Sequence, residues 1–449
     1  MLSTVVIFIV VLGVLVFVHE LGHFLVAKAS GVSVLKFSLG FGPKIIGKKV
    51  GETEYLISAL PLGGYVKMLG EGPDEEITEE EQAKSFSNKP PLTKMAIVCA
   101  GPAFNILFTA LVYTFVFMYG MEVLSSVVGY VAKDSPAYHS GIRSGDKIIR
   151  IDDESITEWG NIEDYVSKKV DEKISVTILR DGREMVVEAT PEKQDSFNIF
   201  QEPIEIGSIG IWPFISTIVG QVNKDSPAEA GGLKSGDKIV VIEGIEVGQW
   251  SKTVEIIRES AGKELAFIVE RGNETLNLKI TPGEYKDTLS TGEEITIGRI
   301  GISSGKPHNR SIFLKRYNPF AAFIKGWGQT WELTKLIGIS MKKLISGEVS
   351  SKNIAGPIGI AQMTGQVARQ GFISLLSFMA FMSINLGILN LLPIPILDGG
   401  HLLFFTLEAI LGKPLNEKKM EIAQKIGMTL LIALMVLAFY NDILRLLSG

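Results

Sequence analysis

Cysteine is almost missing from this sequence: Cys99 is the only one in 449 residues. An intrachain disulfide is thereby excluded, and the redox compartment is left open. Positive charge is not in excess either, since 44 Lys and Arg stand against 49 Asp and Glu for a net charge of −5. A nucleic-acid partner calls for a basic face, so none is expected. The N-terminus lacks the basic flank and the small-x-small cleavage site of a secretory signal, and its apolar stretch runs into His-Glu-Leu-Gly-His. A retained helix is expected there. Charge is scarce in four stretches, residues 2–18, 95–118, 372–397 and 426–440. Together with a mean hydropathy of +0.28 they read as four membrane-spanning helices.

The remainder has the charge and glycine content of ordinary extramembrane structure. The division we expect is a first span at 1–30, a membrane-associated β region and loop at 31–93, a second span at 94–120, and a large insert. An amphipathic interfacial region at 305–371 follows the insert, then a third span at 372–400 and a loop with the fourth span at 401–449. Eight lysines from Lys28 to Lys89 lie between the first two spans, and Lys413, Lys418, Lys419 and Lys425 lie between the last two. By the positive-inside rule these loops are cytoplasmic, which puts both termini and the insert on the far side of the membrane.

The insert repeats itself. Val-Gly-Tyr-Val-Ala-Lys-Asp-Ser-Pro-Ala ending at Ala137 matches Val-Gly-Gln-Val-Asn-Lys-Asp-Ser-Pro-Ala ending at Ala228, a displacement of 91 residues. The register holds through Ser-Gly-Asp-Lys-Ile at 144–148 and 235–239, Trp159 and Trp250, and Ile-Gly-Ile at 209–211 and 300–302. Two copies of one α+β module are expected, at 121–213 and 214–304, with strands such as 147–151 and 175–179 and short helices near 162–169 and 253–260. Each copy resembles a PDZ domain. That resemblance implies capture of peptide C-termini by strand addition beside Ile209–Ile211 or Ile300–Ile302; a steric gate that binds no peptide is the alternative reading.

His19-Glu-Leu-Gly-His23 carries the chemistry. Two imidazoles at i and i+4 share one face of a helix, and the Glu stands beside them. Ionisable groups in a span cost about 2.5–3.5 kcal/mol each on insertion scales, so three in one helix need a reason. Catalytic zinc takes three protein ligands and keeps a position for water. Asp398, in Leu-Pro-Ile-Pro-Ile-Leu-Asp-Gly at the end of the third span, is expected at the same depth as His19 and His23. Pro393 and Pro395 break the backbone there, which suits a ligand reaching into a cavity. His401 is the rival, set aside as nearer the surface. Glu20 is the expected general base.

With His-Glu-x-x-His in the first span, Leu-Asp-Gly in the third and paired PDZ-like modules between, the chain resembles the site-2 protease family of zinc intramembrane metalloproteases. The resemblance implies a multi-pass α-helical membrane enzyme that hydrolyses a transmembrane helix of a single-pass anti-sigma factor after a first extracytoplasmic cut. Remnant signal peptides are a second implied substrate class. It also makes Asn385 and Asn390 substrate contacts, and the strands within 34–68 a β-hairpin region that binds substrate in extended form. A PDZ receptor or chaperone with a structural metal site is the rival reading. It is disfavoured because a structural zinc site is closed by four protein ligands and only three are found.

Overall fold

The computed structural model describes residues 2–71, 78–79, 81–200, 202–288, 294–305, 312–349, 354–413 and 415–448. The chain divides into two compact units, one made of Met1–Met121 with Arg316–Gly449 and the other of Glu122–Lys315.

The first unit opens with α1 (Leu2–Ala29), β1 (Val34–Val50), β2 (Thr53–Met68) and α2 (Pro91–Tyr119). Both helices are long and apolar enough to cross a membrane, where an α-helix satisfies its own backbone polar groups. Proline at the first turn of α2 costs nothing, because its missing amide would be unpaired there anyway. The two strands fold over each other. Residues 53–57 pair with 46–50 on one side, from Ile46↔Ile57 to Val50↔Thr53, and with 36–39 on the other, from Lys36↔Glu54 to Leu39↔Ile57. Residues 64–68 then flank 34–39, from Val34↔Met68 to Leu39↔Gly64. The ribbon thus has four strand segments side by side, with 64–68 along one edge. Phe37, Val66 and Met68 bury against Ala27 of α1 and Ile97 of α2, which fixes the ribbon to the helices.

In the second unit the same order of elements occurs twice. After β3 (Met121–Leu124), the first copy runs β4 (Val128–Val131), α3 (Pro136–His139), β5 (Lys147–Ile151), β6 (Glu154–Ser155), α4 (Trp159–Val166), β7 (Ile174–Arg180), β8 (Arg183–Ala189), β9 (Glu192–Phe197), β10 (Pro203–Ser208) and β11 (Ile211–Pro213). The second runs β12 (Val219–Val222), α5 (Pro227–Ala230), β13 (Lys238–Ile242), β14 (Ile245–Glu246), α6 (Trp250–Arg258), β15 (Leu265–Arg271), β16 (Glu274–Ile280), β17 (Gly283–Thr288), β18 (Glu294–Arg299) and β19 (Ile302–Ser304). Each copy builds a four-stranded sheet, β6-β5-β7-β8 and β14-β13-β15-β16. The central strands form the cores: alternate residues Val176 and Ile178 in one copy and Phe267 and Val269 in the other, with Ile148 and Ile151, and Ile239 and Ile242, brought to the same face across a register shift.

The repeated motif has a physical basis. Ser135 and Ser226 cap the short helices, accepting the amides of Tyr138 and Glu229, with proline at the first helical position. The aspartate of Ser-Gly-Asp is buried. Asp146 takes the guanidinium fork of Arg180, and Asp237 that of Arg271, with all contacts at 2.7 Å. Both α4 and α6 begin some three residues earlier than their sequence patterns suggest, at Trp159 and Trp250. In the first copy the Asn161 carbonyl oxygen accepts from the amides of Thr157 and Glu158 at 3.3 Å and starts the helix there. The last strand, β20 (Ile312–Lys315), pairs with β3, an element the sequence pattern did not suggest.

The first unit resumes with α7 (Pro319–Ser346), α8 (Pro357–Gln370), α9 (Phe372–Asn390), α10 (Asp398–Leu411) and α11 (Glu417–Ser448). Helices α9 and α11 supply the other two candidate spans, so all four expected apolar stretches are helices. The expected interfacial helix is α7; it lies along α2, where Gly326 stands against Ala110 and Thr114, while Phe320 and Trp331 stay exposed. Helix α8 was not anticipated. The third span also ends sooner than the expected 372–400: α9 stops at Asn390, residues 391–397 turn, and Asp398 opens a separate helix. Pro393 and Pro395 cannot donate to the helix ladder and disfavour helical backbone before them. The turn folds tightly over the start of α10, and a Cβ at Gly400 would sit 2.3 Å from the Ile394 carbonyl oxygen.

Candidate active site

Three chain segments meet at one point. Helical spacing puts His19 and His23 one above the other on α1, with their Nε2 atoms 3.2 Å apart. The 391–397 turn brings Asp398 across to them: its Oδ2 lies 3.1 Å from His19 Nε2 and 3.4 Å from His23 Nε2. All three ligand atoms fall within 4.8 Å of one another, and both histidines are buried. From α2 comes the floor. A Cβ at Gly101 would stand 2.3 Å from His23 Nε2 and 2.8 Å from His19 Cε1, so only glycine leaves the rings their place.

The neighbours fix which ring nitrogens face inward. His23 Nδ1 lies 2.9 Å from the Ile97 carbonyl oxygen. A carbonyl only accepts, so Nδ1 carries the proton and Nε2 presents a lone pair. That lone pair faces a carboxylate oxygen which is itself buried and has no hydrogen-bond donor among the described residues. Two buried acceptors turned toward each other repel, and a shared cation removes the conflict. Two imidazole nitrogens and one carboxylate oxygen form a ligand set of catalytic zinc, with a position left for water. The residues fit the metal.

The other expected site residues divide. Glu20 is half-buried beside the pair, rotated by about 100° around α1. The ribbon edge passes over it: a Cβ at Gly64 would lie 2.9 Å from Glu20 Cγ. Asn390, the last residue of α9, puts its Nδ2 3.2 Å from His19 Nε2. Asn385 is turned back onto its own helix, donating to the Phe381 carbonyl at 2.8 Å. His401 is outside the ligand group and stacks near Phe404 and Phe405. One further residue, Asn105, belongs to the site without having been expected there. It is fully buried on α2, 3.0 Å from His19 Nδ1. The signal was available, since a buried amide in an apolar span needs a partner.

Comparison with known proteins settles the class. Residues 7–434 match peptidase family M50. The chain belongs to that family. Its relatives span the whole length: Protease RseP of Yersinia pestis and the regulator of sigma-E protease RseP of Escherichia coli are each 37% identical, with 98% of both chains covered. A Neisseria meningitidis protein that bears a zinc-metalloprotease name is also 37% identical, over 100% of both chains. Among solved structures, the PDZ domain of an SdrC-like protein from Listeria innocua is 24% identical and covers 21% of this chain and 97% of its own, with a TM-score of 0.17. As an M50 peptidase the chain is a zinc metalloprotease, and it carries four helices long and apolar enough to cross a membrane.

Proposed function

We propose that this M50 peptidase cuts peptide bonds within the membrane-spanning helix of a single-pass anti-sigma factor, after a first cut outside the membrane, and also removes remnant signal peptides. The convergence of His19, His23 and Asp398 beside Glu20, on helices long and apolar enough to span a bilayer, carries this reading. His19, His23 and Asp398 would hold zinc, which would supply a water with its pKa lowered toward about 7 and a polarised carbonyl. Glu20 is placed to take a proton from the attacking water at its carboxylate and to return it to the leaving amine. Asn390, beside His19, faces the substrate backbone; Asn385 does so after leaving the Phe381 carbonyl.

A helical substrate hides its amides, so it must open before cleavage. The ribbon edge at 64–68, which runs past Glu20, suits it as an added strand. The repeated modules serve as PDZ domains on the periplasmic side with both termini, either taking the new C-terminus of the trimmed substrate or screening its size, and the metal lies toward the cytoplasmic face. The test is cleavage of a tagged single-span helix by detergent-purified protein. Native protein should cut it; Glu20→Gln should keep its zinc and lose turnover by at least about 100-fold, the scale of a lost general base. Cleavage by Glu20→Gln at the native rate would overturn the assignment of the base.

A further inference from the structure

The two histidines are not held alike. His23 is oriented by a backbone carbonyl, which can only accept, so its proton is fixed on Nδ1. His19 is oriented by the side-chain amide of Asn105, and an amide can present either a donor or an acceptor. In the structure Nδ2 of Asn105 faces His19 Nδ1 at 3.0 Å. An N–H directed at Nδ1 would leave the ring proton on Nε2, where it would oppose the Asn390 amide nitrogen 3.2 Å away and where no metal can bind. A half-turn about the Asn105 Cβ–Cγ bond exchanges the two amide atoms and moves nothing else. Oδ1 then accepts from Nδ1, and Nε2 is free as a ligand.

Ser383 selects between these states. It is fully buried on α9, and its hydroxyl donates to the Asn105 backbone carbonyl at 3.0 Å, with the Asn105 side-chain oxygen position 3.4 Å away. One hydroxyl has one proton. Thr109 Oγ1, 2.9 Å from the same carbonyl, has the Ala380 carbonyl at 3.0 Å to donate to, so the Ser383 proton stays on the Asn105 carbonyl, and Ser383 then offers the amide only lone pairs, which suit Nδ2 and not Oδ1. We propose that Ser383 and Asn105 form a positioning relay that sets the tautomer of His19, with Ser383 holding the amide so that His19 Nε2 is ready to bind metal. The inference rests on the zinc site of the preceding section.

The test measures zinc affinity of detergent-purified full-length protein by competition with a chromogenic chelator, with the visible spectrum of the cobalt-substituted protein as a second readout. Ser383→Ala should weaken zinc about 10-fold or more, the usual scale for an outer-shell partner, and Asn105→Leu by at least as much. The decisive comparison is Ser383→Ala in an Asn105→Asp background. A carboxylate only accepts, so no amide orientation remains to be set, and the serine change should then cost less than about twofold. An equal loss in both backgrounds would mean that Ser383 merely packs α2 against α9, and would overturn the relay. His19→Ala, run alongside, separates the two levels. If it leaves zinc affinity at the native value, the site itself is wrong and the relay with it; if it lowers affinity while Ser383→Ala does not, only the relay falls. Melting curves of the metal-stripped proteins identify any variant that loses affinity by unfolding, and Ser383→Cys or Ser383→Gly then replaces it in the same comparison.

Discussion

At Gly101 a single methyl group would occupy the space of an imidazole nitrogen. Gly101→Ala should therefore displace His23 and lower zinc affinity, while the helices persist, because alanine is the best helix former. Zinc titration with circular dichroism checks this, and native affinity in the variant would contradict it. Asp237 makes a different point. Burial pushes its carboxyl up, but the Arg271 fork and the Lys234 amide outweigh that and hold it below the usual aspartate range. A depressed native value means the pair contributes fully above the unfolded pKa of about 3.9 and loses that contribution as pH falls through the native value. Asp237→Asn should melt below the native protein at pH 7, and the gap should narrow by pH 3. A gap that widens on acidification would show that the ion pair is not what the aspartate contributes.

Among elements, α11 is held in an unexpected way. Asp442, near its C-terminal end and almost fully buried, accepts the amides of Gly356, Ile358 and Gly359 at 2.9–3.0 Å. These are unpaired donors at the start of α8, so a side chain from the last helix caps a helix some 84 residues earlier. Removing it leaves buried amides at about 1–3 kcal/mol each. Asp442→Ala should lower the melting temperature by several degrees, and Asp442→Asn by less, since one acceptor oxygen remains. Unchanged melting in Asp442→Ala would mean that water replaces the carboxylate without cost. The turn at 391–397 belongs to the same scale. Without its two prolines α9 could continue, and Asp398 would not be turned back to meet α1.

For the whole molecule, the distribution of lysines predicts a single orientation. In a Cys99→Ala background, Ile199→Cys on the exposed surface of the repeated unit should react with a membrane-impermeant thiol reagent in spheroplasts. Lys413→Cys, after α10, should react only once the membrane is opened. The opposite pattern would invert the proposed topology.

What the sequence determined by itself is what local pattern and composition can encode. Apolar runs gave the four long apolar helices, since a helix pairs its backbone polar groups within the segment. The displacement of 91 residues gave the two copies, and i, i+4 spacing gave the histidine pair with Glu20 beside it. Asp398 was legible because a carboxylate with a proline-broken approach is unusual at membrane depth. The tertiary structure decided what depends on distant partners: Asn105 meets His19 across 86 residues, Ser383 meets Asn105 across 278, and Asn390 meets His19 across 371. None of these contacts leaves a periodic trace, because a side chain's hydrogen-bond partner is chosen by which helices pack together. Packing likewise made Asp398 the first residue of its own helix, as the prolines ended α9 and the glycines after Asp398 let the turn close over it.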